Sequence, residues 1–504
     1  MAKSQRKIGM VLSYVSTLLL MAVNIFLTPF LIKSLGEAEY GVYRMMATFA
    51  GYLVLMNFGT GTVMTRYVSA FLGKGDKKGE RNFIAMGLII TGVLMLLIAA
   101  AASVLYIFLD EIYSASLTLQ QLEKAKILFA VLSLNILVTL AAQAFEGIVL
   151  AYEKFFLTKG FTIAKTLLKV AVIVTLFQLR ADSLIIVLTD LGLSVLYFLL
   201  CFFYTQLHLK ARPKLQKFDK ALFVSTLSFS FAILLQAVVN QVNSNVDITI
   251  LGIMLGPESV TVYSVAMQIF MIFSSLSTAA VAVYLPKFAK LTAKGQASGE
   301  VLTREMIAPS RVQTLVSGTI LFGFIICGRD FINLWVGEGF ETAYFIALII
   351  MIPMFLVCTN GIVVSVLDAL GKRLVRSVVL CIIAVCNVLL TVLLVYFIGE
   401  PGAPIATAVT TLIGSVIIMN IYYKKAIGIR LYTLFKGIFK GILPCLLLSF
   451  AVSLPLAILF PVGTLGLFLK GGLFLLVLGV SLLLFGLNKE EKSLIKKPFS
   501  GGNK

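Results

Sequence analysis

The 504-residue chain has one histidine, one tryptophan and 12 prolines, and its 23 acidic residues are outnumbered by 42 lysines and arginines. The histidine, His208, falls outside every long apolar run, which excludes a buried histidine proton relay. Six cysteines (Cys201, Cys327, Cys358, Cys381, Cys386 and Cys445) lie in or beside apolar stretches, with no CxxC pair. They read as small buried residues, so neither a disulfide framework nor a metal site is indicated. Charged residues make up only 13% of the chain against 60% hydrophobic, too little polar surface to cover a soluble body of this size. The chain belongs in a bilayer. No connection exceeds about 25 residues, too short for a folded catalytic domain outside the membrane, and no nucleophile, base and acid set stands out. The sequence calls for no catalytic residue and no cofactor.

What is present is a series of apolar runs, each long enough to cross a hydrocarbon core of roughly 30 Å. Six lie near residues 9–32, 42–64, 83–108, 125–150, 156–178 and 183–206, and six more near 221–254, 259–285, 309–336, 341–367, 374–398 and 403–423. Two further runs, near 441–460 and 471–487, complete a count of 14. The start, MAKSQRK, is basic, and the apolar run after it is long and without a clear cleavage site, so it reads as a retained first span. With a cytoplasmic N-terminus, 33 of the 42 lysines and arginines fall on inside segments and seven on outside ones. The positive-inside rule then puts both termini in the cytoplasm. The net charge of +19 becomes a topology signal and a contact with anionic membrane lipids, and nucleic acid is not needed to explain it.

The chain also repeats itself. Leu35–Tyr43, LGEAEYGVY, reads as the turn between the first two runs, and Leu255–Tyr263, LGPESVTVY, is its cognate 220 residues on. Carried without gaps to Glu80 and Glu300, the offset gives nine identities in 46 positions, clustered at two loops, which indicates a duplication. An even number of spans per copy makes the repeats parallel. The expected architecture is an all-α polytopic membrane protein of about 14 transmembrane helices, with two six-helix lobes around a central cavity and two extra C-terminal helices. The lobes would occupy 1–207 and 221–425, the basic linker 208–220, and the extra helices with a basic tail 426–504.

Charged side chains at mid-bilayer cost at least about 2–3 kcal/mol and face a partner or a wet cavity. In the fourth run Asn135, Thr139, Gln143 and Glu146 share one helical face, and in the seventh Gln236, Asn240, Asn243 and Asp247 do the same. In the fifth run Thr162, Lys165 and Lys169 form a third stripe, with Lys169 roughly 20 Å from the cytoplasmic end. Glu146 and Lys165 can form a structural ion pair, whereas Lys169 has no obvious partner in sequence. Read functionally, Lys165 and Lys169 are point charges for an anionic group such as a diphosphate, with Glu146, Gln143, Asn240, Asn243 and Asn24 lining the same cavity. Asp190 and Asp247 are candidates for a coupling proton or cation. Pro29 and Pro353 fall inside runs and are candidate kinks.

The stretches TPFLIKSLGEAEYGVY (Thr28–Tyr43) and NFGTGTVMTRYVS (Asn57–Ser69) resemble the opening of bacterial polysaccharide transporters, the Wzx-like flippases of the multidrug/oligosaccharidyl-lipid/polysaccharide superfamily. NVDITILGIMLGPESVTVYSVA (Asn245–Ala266) is similar to that family's entry into its second half. The resemblance implies two lobes in a V around a central cavity, and movement of a polyprenyl-diphosphate-linked oligosaccharide from the inner to the outer leaflet of the bacterial cytoplasmic membrane by alternating access. It also implies lipid-linked oligosaccharide, membrane lipids and other polysaccharide-assembly membrane proteins as partners. Family cavities commonly carry cations; the first span here has Asn24 as its polar residue and no arginine. Alternatives are a drug or cation antiporter of the same superfamily, which would rely on Asp190 or Asp247, and a lipid II flippase, since the last two spans resemble the extra pair of 14-span flippases.

Overall fold

In hydrocarbon a backbone must satisfy its own hydrogen bonds, and a helix does so within one segment. The computed structural model describes residues 2–278, 284–294, 298–370, 373–457, 459–461 and 463–488. Helix accounts for 87% of it, against about a third in a typical globular domain. Among the described residues there is no strand, so the protein is an all-α membrane protein.

The chain divides into two compact units, Met1–Thr261 and Val262–Lys504. The first is built from α1 (Ala2–Leu35), α2 (Glu37–Gly51), α3 (Thr60–Gly73), α4 (Lys77–Tyr113), α5 (Leu119–Ala151), α6 (Phe155–Phe177), α7 (Ser183–Phe203) and α8 (Lys220–Met254). Helix α9 (Pro257–Thr278) begins in it and continues into the second unit. Then come α10 (Leu285–Ala293), α11 (Gly299–Trp335), α12 (Glu341–Thr359), α13 (Val363–Ala369), α14 (Arg373–Ile398), α15 (Gly402–Thr410), α16 (Met419–Ile427), α17 (Leu431–Phe439), α18 (Ile442–Ala457) and α19 (Thr464–Ser481). A π-helical stretch, Thr411–Ile418, joins α15 to α16.

Eleven helices among the described residues are long and apolar enough to cross a membrane, or twelve when α17 and α18, bent by 44°, count as one span. Of the 14 runs read in the sequence, the second and the seventh fall outside this tally. The second run is not one helix: Phe58 and Gly59 take left-handed φ angles of 51° and 68° and divide it between α2, a 3-10 turn (Tyr52–Asn57) and α3. The seventh run is α8, a single helix over Lys220–Met254. Pro29 and Pro353 both lie inside continuous helices, α1 and α12.

The turn read at Leu35–Tyr43 is shorter in the structure. Gly36 alone, at φ 82°, separates α1 from α2, and its cognate Gly256, at φ 97°, plays the same part before α9. Both take the left-handed region that glycine enters without steric cost. The two cognate turns also touch. A side-chain carbon on Gly41 would collide with the Pro257 backbone, and Thr261 Oγ1 donates to the Glu37 carbonyl at 2.7 Å.

One end of the first unit is tied by charge. Lys124 Nζ lies 2.5 Å from Glu39 Oε1 and 3.2 Å from Asp182 Oδ1, and the Ser183 N–H donates to Glu39 at 2.7 Å, which joins the starts of α2, α5 and α7. Burial pushes the Asp182 carboxyl up, but the Leu184 N–H and Lys124 outweigh it and hold the group below its usual value. The basic segment after His208 is anchored rather than free: Asn82 Oδ1 accepts from the Gln216 and Lys217 N–H groups at 2.7 and 3.1 Å, and Ala211 is buried.

In the second unit Arg311 is only 1% exposed. Its guanidinium donates to the carbonyls of Gly437 (3.1 Å), Lys440 (2.5 Å) and Gly486 (2.9 Å), carbonyls at the ends of α17 and of the last helical segment, where the helix dipole is negative. A second buried pair, Lys470 with Asp330, joins α19 to α11.

Gly41→Ala is expected to lower stability by about 1–3 kcal/mol, because the added methyl meets backbone that cannot swing aside; a denaturation curve of the purified protein reads this directly. Glu400 lies on the connection between α14 and α15, with a buried Oε1 that meets no hydrogen-bond partner, and burial pushes its carboxyl up to about 7 from an ordinary 4.5. The native state therefore holds this proton more tightly than the unfolded chain does. Its contribution is fully present below about 4.5 and is lost as pH rises through about 7. Between pH 5 and 8 on the experimental scale, the melting temperature is expected to fall relative to Glu400→Gln, which lacks the titration.

Candidate functional site

The polar stripes of the fourth and fifth runs meet in the first unit. A cavity of about 340 Å³ is lined by Asn24 from α1, by Thr139, Gln143 and Glu146 from α5, by Phe161, Thr162, Lys165 and Lys169 from α6, and by Asp190, Ser194 and Tyr197 from α7. Lys169, unpartnered in the sequence reading, has a partner: its Nζ lies 2.7 Å from Asp190 Oδ2, with the side chains 26% and 21% exposed. Lys165 Nζ donates to Ser194 Oγ at 3.0 Å. Glu146 sits within the fields of Lys159 and Lys165 and beside Tyr197, whose ring stacks on Phe161 at 4.7 Å.

Helix α3 holds the other wall of α5. Gly61 and Gly147 let the two backbones approach, and Thr65 Oγ1 bridges their carbonyls at 2.9 and 3.1 Å. Asn57, at the break before α3, accepts from the Gly59 N–H at 2.6 Å and donates from Nδ2 to Gln143 Oε1 at 2.9 Å, so the broken turn also orients a cavity side chain. A second polar cleft of about 590 Å³ shares Gln143 and Glu146 with the first and adds Arg66, whose guanidinium lies 4.1 Å from the Phe229 ring centre. A third, of about 610 Å³, continues from Thr65 and Leu150 to Glu153 and Phe155. Together they form a path along α5 from its last turn to the Lys169–Asp190 pair.

Among the residues singled out by sequence, Lys165, Lys169, Glu146, Gln143, Asn24 and Asp190 line one cavity. Asp247 does not line it; it is buried on α8 near Tyr52. The side chains of Asn240 and Asn243 lie outside the described residues. Sequence reasoning missed Arg66, Asn57, Ser194 and Tyr197. A signal for the last two was available, since Asp190, Ser194 and Tyr197 are spaced 4 and 3, the same stripe read in the other spans.

The family profile described as polysaccharide biosynthesis protein matches residues 8–292, more than half of the chain. The chain belongs to this family. It is 21% identical over 441 residues to the "Uncharacterized membrane protein EpsK" of Bacillus subtilis (strain 168), covering 84% of this chain and 83% of that one. Among solved structures, "Lipid II flippase MurJ, inward closed conformation" is similar at a TM-score of 0.71 and 14% identity, over 98% of this chain and 99% of the other. An inward-facing multidrug resistance MATE transporter of the MOP superfamily is similar at 0.64 and 13% identity, over 82% of this chain and 94% of its own. At such identity these likenesses speak for the fold, which is MurJ- and MATE-like. The family assignment and the spanning helices make the chain a multi-span membrane protein of polysaccharide biosynthesis.

If Lys169 and Asp190 form one unit, Lys169→Ala and Asp190→Ala should each destabilise the protein by more than half of what the double variant costs. A double-mutant cycle by thermal unfolding is expected to give a coupling of roughly 1–2 kcal/mol.

Proposed function

We propose that the protein moves a polyprenyl-diphosphate-linked oligosaccharide, a precursor of a cell-envelope polysaccharide, from the inner to the outer leaflet of the bacterial cytoplasmic membrane. The observation that carries this reading is the pair of lysines, Lys165 and Lys169, side by side in a polar cavity among spanning helices. A diphosphate spreads its charge over several oxygens, and ammonium groups on flexible stems meet it as point charges. Asp190 makes the site exchangeable. It occupies Lys169 when no anion is bound, which avoids an uncompensated charge in hydrocarbon, and an incoming diphosphate replaces it. Protonation of the displaced Asp190, or a cation drawn to it, then couples transport to an ion gradient, while Asp247 on α8 is a second candidate for the same task.

The sugars occupy the path along α5, whose amides, hydroxyls and stacked Phe161–Tyr197 pair suit a glycan. Gln143 and Glu146 contact the glycan near the diphosphate, with Asn24 on the facing wall. Alternating access exposes the cavity first to one face and then to the other. The N- and C-termini are cytoplasmic on this reading, so loading is from the side that carries most of the basic charge.

Deletion of the gene is expected to leave a defined polyprenyl-linked oligosaccharide accumulated on the inner leaflet, cleared by the wild-type copy and not by Lys169→Ala. Unchanged lipid profiles together with raised sensitivity to cationic drugs would replace this reading with a cation antiporter working through Asp190 or Asp247, and accumulation of lipid II would make the chain a lipid II flippase.

A further inference from the structure

Residues 57–66 divide between two clefts. Asn57, Gly59, Gly61, Thr62, Thr65 and Arg66 line the polar path. Phe58, Thr60, Val63 and Met64 line a separate recess of about 80 Å³, closed by α4 and by α8. The left-handed break at Phe58 and Gly59 starts this division, turning Phe58 away from its two neighbours.

The recess is built to be dry. Its threonine hydroxyls are all turned back on their own chain: Thr60 donates to Asn57 O at 2.6 Å, Thr91 to Gly87 O at 2.8 Å and Thr226 to Leu222 O at 2.8 Å. With those three donors spent and the remaining lining almost wholly apolar, the recess offers water little, and apolar cavities of this order stay empty of water and take hydrocarbon. The absence of a side chain on Gly87 opens its wall beside Met64. Helix α3 is held to α8 next to it, by Tyr67 Oη with Ser225 Oγ at 2.9 Å and by Arg66 over Phe229.

We infer that this recess binds a methyl-branched prenyl unit of the lipid carrier, while the headgroup lies in the polar path on the other face of α3. The inference rests on the function proposed above. An amphiphile has its polar and apolar parts joined at one point, and α3 presents a polar and an apolar cleft back to back along one helix. The size of the recess matches a branched unit of about five carbons rather than a whole chain. Recognition of the prenyl segment lets the protein distinguish its carrier from the straight acyl chains of the surrounding lipids.

Binding to the purified full-length protein tests this, with farnesyl diphosphate, inorganic pyrophosphate and dodecyl diphosphate as probes. Ser230→Leu fills the recess from α8, and Thr91→Ile does so from α4 should the first variant fold poorly. Either is expected to weaken farnesyl diphosphate about tenfold while leaving pyrophosphate unchanged, and dodecyl diphosphate is expected to bind more weakly than farnesyl diphosphate to the wild type. If the filled variants bind farnesyl diphosphate as the wild type does, while Lys169→Ala weakens both it and pyrophosphate, the recess does not hold the chain and the headgroup reading stands. If Lys169→Ala changes neither, the headgroup reading itself fails. Equal affinity for dodecyl and farnesyl diphosphate would overturn the prenyl assignment.

Discussion

Hydrocarbon offers no hydrogen bonds, so each interruption of a helix and each charge inside this protein must find its partner within the chain. The break in the second span is stitched by Asn57, whose carbonyl and side chain satisfy Thr60 and Gly59. Arg311 is satisfied by carbonyls at the ends of helical segments. Lys470 has Asp330, and Lys169 has Asp190. These solutions differ in one respect that separates structure from function. Arg311 is sealed at 1% exposure and the Lys470–Asp330 side chains at 11% and 14%, whereas Lys169 and Asp190 face a cavity at 26% and 21%. A charge held open to a cavity can exchange its partner; a sealed one cannot do so without unfolding its surroundings.

Glycine serves the fold in two distinct ways. At Gly36 and Gly256 it supplies a left-handed residue, so that one helix ends and the next begins within one or two positions. At Gly41, Gly61 and Gly147 it supplies close approach, bringing helix backbones into contact where a side chain would hold them apart. The second use positions the site, because α3 and α5 must touch for Asn57 to reach Gln143.

The membrane class, the helical architecture and the members of the cavity on α5 and α6 were legible in the sequence, because stripes at spacings of three and four survive as helix faces whatever the packing. The partner of Lys169 was not, since Asp190 lies on the next helix and the register between helices is set by packing rather than by spacing. Arg311 was unreadable for a related reason: it sits at the start of an apolar run and passes for an inside positive charge, and its buried role depends on carbonyls 126 to 175 residues away. The break inside the second run was not legible, because hydropathy does not register a left-handed pair such as Phe58 and Gly59.

The placement of Arg311 bears on how the last two helices relate to the rest of the second unit. One of its carbonyl partners, Gly486, belongs to the final helical segment, and two others, Gly437 and Lys440, lie at the end of α17, just before α18. A chain cut short before α18 would leave a guanidinium in an apolar interior with part of its coordination gone. The terminal pair is thus wired into the α11 core through a buried cation, and a shorter ancestral or engineered form would first need an uncharged residue at position 311.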